Sequence, residues 1–300
     1  MVVGDEGQEP LMAALARQLV MLSKPRIVAM LVFTAVCGVW KAAEGAPEGA
    51  VLAAVAGAGA LAAAGANAIN QGLDADIDAV MSRTRGRPVP SKQMRAGIAV
   101  VAGAVLVVVA VALMWVAANP IAAWLTLAAA LVYVFVYTVA LKRRSWNNIV
   151  IGGAAGAFPP LIGAAAVTGT VEAVGVYMFA FVFFWTPPHF WTLSILLKDD
   201  YASAKVPMLS TVASERATYL QILLYVVLLV AMGWLPFASG YGGVTFGAVA
   251  TAVGLYWLWK LRPLSRGPSR TETLAAYKYS LVYLAVVFLV LAAEPSLPWY

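Results

Sequence analysis

VLAAVAGAGALAAAGANAINQGLDADIDAVMSRTRGRPVP, residues 51–90, changes character halfway along. Nothing from 51 to 69 is charged; then come Asn70, Asp74, Asp76 and Asp78, followed at once by Arg83-Thr84-Arg85-Gly86-Arg87-Pro88. An uncharged run of about 20 residues, rising about 1.5 Å per residue as a helix, crosses the roughly 30 Å hydrocarbon layer of a bilayer. Carboxylates at the end of such a run are costly beside hydrocarbon, and they repel one another unless a cation compensates. The stretch therefore reads as a membrane span with a cation-binding edge. A divalent metal beside several arginines in turn suggests a phosphate-bearing substrate.

The rest of the chain has the same character. Of its 300 residues, 62% are hydrophobic and 11% charged, with a mean hydropathy of +0.84. A soluble surface needs about a quarter of its residues charged. The runs are continuously apolar, not alternating, which excludes a membrane β-barrel. Candidate spans fall at residues 27–43, 50–69, 96–118, 121–141, 149–168, 171–197, 219–238, 244–261 and 275–293. The expected fold is all-α: a polytopic membrane bundle of nine helices over residues 24–294, between an N-terminal tail (1–23) and an outer tail (295–300).

Charge gives the expected orientation. Of 20 Lys and Arg residues, only Lys41 lies toward the side that also holds Glu44, Glu48, Glu172 and Glu294. The positive-inside rule then places the N-terminus in the cytoplasm and the C-terminus outside, in the cell membrane. The first 20 or so residues, with Asp5, Glu6 and Glu9, lack the positive start of a secretory signal. A net charge of +6 distributed in this way is topological. A nucleic-acid binder would join basic residues to exposed aromatics on a soluble domain, so no such partner is expected. Cys37 is the sole cysteine, sits in the first span and reads as core packing.

Polar residues gather in the loops after spans two and six. On a helix, Asn70, Asp74 and Asp78 share one face at i, i+4 and i+8, with Asn67 one turn earlier and Asp76 turned away, either as a partner supporting the ligands from behind or as a salt-bridge acid. Mg²⁺ prefers oxygen ligands and keeps waters, so a few carboxylates plus substrate oxygens suffice. The plainer alternative is an acid cluster neutralised by Arg83, Arg85 and Arg87. A second cluster is Lys198-Asp199-Asp200-Tyr201, preceded by Trp185-Thr186-Pro187-Pro188-His189-Phe190-Trp191. Two prolines within a span are expected to break or kink it, presenting the only histidine between aromatics. His189 is either a packing residue or a functional one. A third cluster, Tyr137-Thr138 and Lys142-Arg143-Arg144 ahead of Asn147-Asn148, suits either a topology anchor or a diphosphate site. Gly152, Gly153 and Gly156, with Pro159-Pro160, allow close helix approach or irregular backbone.

Asn70-x3-Asp74-x3-Asp78 at the end of span two resembles the first aspartate motif of the UbiA-type intramembrane prenyltransferases. The words at residues 76–90, 141–169 and 185–209, with Lys24-Pro25-Arg26, are similar to those of the protohaem-farnesylating branch of that family. The resemblance covers residues 20–290 or so. It implies a nine-helix bundle with a cytoplasm-facing cavity, and it implies Mg²⁺, farnesyl diphosphate and protohaem (haem B), giving haem O and diphosphate. It also implies a downstream haem A synthase or oxidase assembly partner. On that reading Asn70, Asp74, Asp78 and Asp200 hold metal, and Asp74, Asp78, Arg83, Arg87, Lys142 and Arg143 carry the chemistry. Asn67, Asn70, His189, Asp199, Asp200 and Tyr201 bind substrate, His189 through the haem iron or by orienting a propionate or water. The chain departs from the wider pattern twice. Four residues on from Asp199 and Asp200 stand Ser203 and Ala204, and Tyr137 and Lys142 are five apart where the wider family has four. A prenyltransferase for another acceptor would share the first motif but not the Pro-Pro-His-Phe-Trp word. A secondary transporter would carry ionisable groups nearer the bilayer midplane, and a non-catalytic haem carrier would release no diphosphate.

Overall fold

The computed structural model describes residues 11–43 and 45–294. Both chain ends (residues 1–10 of the expected N-terminal tail and all of the outer tail) and Glu44 lie outside the described residues. Within them the chain is helical, and nine segments are long and apolar enough to cross a membrane. Each expected span is matched, with ends shifted by a few residues: Pro25–Ala43, Gly49–Leu73, Ala96–Ala117, Pro120–Leu141, Asn148–Thr168, Ala173–Leu196, Glu215–Ala238, Val244–Arg266 and Arg270–Ala293.

Ahead of them lies α1 (Leu11–Ser23), a helix where only a tail was expected. Leu22 is buried in it, and the Gln71 amide donates to the Leu22 carbonyl at 2.8 Å, satisfying part of the free helix end. The first span, α2 (Pro25–Ala43), has proline at its first position, where no N–H is needed. α3 (Gly49–Leu73) is followed by a short α4 (Ala75–Val80).

Small residues set how closely the next helices approach. α3 packs on α5 (Ala96–Ala117) through mutual glycines: a Cβ on Gly103 would lie 2.5 Å from the Gly65 carbonyl oxygen, and one on Gly65 2.6 Å from that of Gly103. After α6 (Pro120–Leu131) the fourth span widens into a π-helix, Val132–Leu141. α7 (Asn148–Gly152) and α8 (Ala154–Thr168) form the fifth span. There a Cβ on Gly38 of α2 would stand 2.1 Å from the Pro160 carbonyl oxygen. In a bilayer, where apolar burial drives helices together only weakly, such contact supplies the packing that holds them.

The other half of the bundle is aromatic. It comprises α9 (Ala173–Leu196), the short α10 (Lys198–Ser203) and α11 (Leu209–Val212), α12 (Glu215–Met232), α13 (Leu235–Ala238), α14 (Val244–Leu261) with a 3₁₀ turn after it, and α15 (Arg270–Ala293). Phe181, Trp191, Phe246, Trp257, Tyr283 and Phe288 pack together in its core. Of the expected break or kink, α9 shows no break: it runs on through Pro187 and Pro188, and the Thr186 hydroxyl donates to the Val182 carbonyl at 2.8 Å beside them. Neighbouring helices and back-bonded hydroxyls let membrane helices run through proline. At the far end, buried Glu294 caps α14 from the last helix, accepting the Phe246 N–H at 3.0 Å.

Candidate functional site

The acid motif stays in helical register across the α3–α4 junction. Asp74 leaves helical geometry (φ −97°, ψ 13°), yet its N–H still donates to the Asn70 carbonyl at 2.9 Å. The Asp78 N–H likewise reaches the Asp74 carbonyl at 2.8 Å. Asn70, Asp74 and Asp78 are all buried, while Asp76 faces solvent. Buried carboxylates need partners, and those partners come from three other parts of the chain.

Lys142 pairs with Asp74 Oδ2, which also accepts from Asn70 Nδ2 at 2.7 Å. Asn70 Nδ2 also donates to the Thr138 hydroxyl at 3.1 Å, and its Oδ1 accepts from Lys24 Nζ at 2.9 Å. Arg87 Nη1 lies 2.6 Å from Asp78 Oδ2, and the Thr84 hydroxyl donates to the Asp78 carbonyl at 2.9 Å. Lys24, Arg87 and Lys142 thus surround two carboxylates and leave the pocket net positive. Burial, helped by Arg87 and Lys142, pulls the Lys24 ammonium down to about 7.

The five-residue spacing of Tyr137 and Lys142 finds its explanation in the π-helix. The Lys142 N–H bonds the Tyr137 carbonyl at 2.8 Å, an i→i+5 closure. Such a turn brings residues five apart into the register an α-helix gives residues four apart. Tyr133 and Tyr137 stack with ring centroids 5.6 Å apart. The Tyr137 ring packs where a Cβ on Gly152 would come within 2.4 Å, so that glycine makes the close approach the sequence anticipates.

Other expected residues are placed differently. Arg143 forks onto Asp76 with contacts of 2.6 and 2.7 Å, and its nearest approach to Asp74 is 3.7 Å. That pairing holds the Asp76 carboxyl down at about 2. The Asp200 carboxylate accepts from the Ser82 N–H at 3.1 Å and the Ser82 hydroxyl at 3.0 Å. Slight burial works against its charge, but those two bonds, aided by Arg83, keep the carboxyl below its usual range. Among the described residues no three acids, histidines or cysteines gather as a metal group. Of the expected set, Asn70, Asp74 and Asp78 lie buried together in helical register, while Asp200 is bonded to Ser82 in the loop after α4 and Asn70 Oδ1 accepts from Lys24. Asp199 is exposed. Tyr201 is buried near Arg83, and burial pushes its hydroxyl up to about 12. Asn67 joins helices: it donates to the Ser23 carbonyl at 3.0 Å and accepts from the Tyr133 hydroxyl at 3.2 Å.

What remains fits a hard cation. Asp74 Oδ1 is buried with no hydrogen-bond partner. With Asp78 it offers two carboxylates at one edge of a cationic pocket. Mg²⁺ is usually bound by one or two carboxylates, with substrate phosphates and water completing its shell.

Among the described residues, nine helices long and apolar enough to cross a membrane, with carboxylates and cations gathered at the ends of spans two and four, define an all-α membrane bundle with a polar site at one edge. The chain belongs to the UbiA prenyltransferase family, whose sequence profile matches residues 31–293. It is 46% identical over 297 residues to the "Protoheme IX farnesyltransferase" of Granulibacter bethesdensis, covering 96% of this chain and 93% of that one. It is 45% identical over 278 residues to the protein of that name from Thermus thermophilus, covering 93% of this chain. The chain spans about half the length of that relative (46%). In fold it is similar to a digeranylgeranylglyceryl phosphate synthase structure, with a TM-score of 0.76, 16% identity, and 93% and 98% of the two chains covered. It is also similar to an Archaeoglobus fulgidus UbiA homologue bound to DMAPP and Mg²⁺, with a TM-score of 0.70, 14% identity, and 91% and 99% covered.

Proposed function

We propose that the chain transfers a farnesyl group from farnesyl diphosphate to a vinyl group of protohaem, giving haem O and diphosphate. One observation carries the chemical half of this reading: a buried Asp74 oxygen that accepts no hydrogen bond and has only Arg143 at 3.7 Å, beside Asp78 and ringed by Lys24, Arg87 and Lys142. Asp74 and Asp78 would hold Mg²⁺, which supplies charge neutralisation of the diphosphate. The relatives that share most of the chain support the acceptor, and the structure bound to DMAPP and Mg²⁺ supports the donor class.

The C1–O bond of the donor breaks with its electron pair leaving on diphosphate, and positive charge fixed where that pair goes stabilises the transition state. Lys24, Lys142 and Arg87 take this part. Arg83 lies at the solvent edge, where it meets the departing anion. The vinyl π electrons bond to C1, and the cation left beside the porphyrin takes up water and loses a proton. That gives a hydroxyethylfarnesyl substituent, with diphosphate and one proton released. Apolar helix surface shields the allylic cation from premature capture by water.

The Lys and Arg asymmetry supports a site facing the cytoplasm from the cell membrane. Purified protein incubated with haem, farnesyl diphosphate and Mg²⁺ is expected to yield haem O by mass, with stoichiometric diphosphate. EDTA should stop both, and added Mg²⁺ should restore them. Haem bound with no diphosphate released would mean a carrier.

A further inference from the structure

His189 is the only histidine in the chain, and its ring lies within an aromatic sandwich. Trp185 stacks on one side with centroids 4.3 Å apart and planes 19° apart; Tyr277 stacks at 4.8 Å and 28°. The Trp185 indole N–H is used elsewhere, donating to the Ser280 carbonyl at 2.9 Å. In the plane of the imidazole, Nδ1 lies 2.6 Å from the Ser280 hydroxyl oxygen. That same hydroxyl lies 2.6 Å from the Tyr277 carbonyl oxygen.

These two contacts fix a tautomer. A serine hydroxyl has one proton, and a carbonyl oxygen can only accept. The proton therefore goes to Tyr277, and Ser280 can only accept from the imidazole. Nδ1 must carry a hydrogen, which leaves the lone pair of the neutral ring on Nε2. Nε2 has no hydrogen-bond partner among the described residues, although the residue as a whole is only 9% exposed. Nor is Nε2 among the fully buried unpaired atoms, so it is open to a further group. An ionised propionate has only acceptors and cannot pair with a bare lone pair. A metal can: histidine ligands commonly donate their second N–H to a fixed acceptor, which orients the ring and raises its basicity.

Building on protohaem as the prenyl acceptor, we propose that Ser280 is a positioning residue that locks His189 in the Nδ1–H tautomer, so that Nε2 ligates the porphyrin iron. α15 thus helps orient the acceptor through α9, apart from the diphosphate pocket of α3, α4 and the π-helix.

The test uses full-length purified protein without prenyl donor, titrated with ferric haem and separately with iron-free protoporphyrin, read by visible absorption and electron paramagnetic resonance. Wild type should show a nitrogen-ligated iron and bind haem at least tenfold tighter than the iron-free ring. His189→Ala should lose the ligation signature. Ser280→Ala should weaken haem binding about 10- to 100-fold and leave protoporphyrin binding unchanged, which also reports an intact fold. Ser280→Thr should restore wild-type binding, and Ser280→Val, of equal shape, should not. A wild-type spectrum in His189→Ala, or equal haem affinity in the Thr and Val variants, overturns the proposal. So does identical high-spin iron in wild type and His189→Ala, the result expected if Nε2 merely holds water. No haem O on adding farnesyl diphosphate and Mg²⁺ to wild type, with the iron signature intact, would instead overturn the farnesyl-transfer reading alone.

Discussion

Asp74 and Asp76 stand two residues apart and do different work. Asp74 is buried, shares one oxygen between Lys142 and Asn70, and keeps the other free of hydrogen bonds, with Arg143 3.7 Å away. Asp76 lies in solvent, forked by Arg143, and an exposed pair of this kind contributes only about 0–1 kcal/mol. Asp74→Asn should therefore cost roughly 10²–10³-fold in kcat, the scale of losing one preorganised charge contact, whereas Asp76→Asn should stay within about threefold, since ~0.6 kcal/mol is about that factor. Equal losses in a product assay would refute this division. The i, i+4 spacing made Asp74 and Asp78 legible from sequence. Lys24 escaped because its partner, Asn70, lies 46 residues away; the Lys-Pro-Arg step ahead of span one was its only signal. The Asp200–Ser82 bonds were not legible, because lying at one edge of the bundle says nothing about which neighbour a carboxylate takes.

Among elements, the glycine contacts separate packing from propensity. Gly103→Ala and Gly38→Ala would each press a methyl group against a backbone carbonyl that cannot swing aside, at 2.5 and 2.1 Å. Overpacking of this kind costs typically about 1–3 kcal/mol, so both variants should melt several degrees lower in detergent. Gly57→Ala and Gly59→Ala meet nothing within 4 Å and should hold or gain up to ~1 kcal/mol through helix propensity. A uniform response across the four would overturn this reading. Span existence was readable from hydropathy alone. The π-helix was visible only as an anomaly in spacing, since no residue type marks an i→i+5 turn. The proline pair suggested a break that α9 does not make, because tertiary neighbours outweigh local preference in a packed helix.

Across the whole molecule, a half built on small residues faces a half built on aromatics, and the polar edge lies where their ends meet. The Asp200–Ser82 bonds join α10 to the loop after α4 there. Orientation is testable because Cys37 is buried and is the only cysteine. In a Cys37→Ala background, Ser239→Cys should react with a membrane-impermeant maleimide on intact cells, and Arg266→Cys only in inverted vesicles. The reverse pattern would turn the protein over. One practical corollary concerns Glu294. Its carboxylate clips the start of α14 from the neighbouring helix, so a reporter spliced directly after Ala293 would unfasten that end of the bundle. Topology fusions need to leave that acid in place, or they will measure damage of their own making.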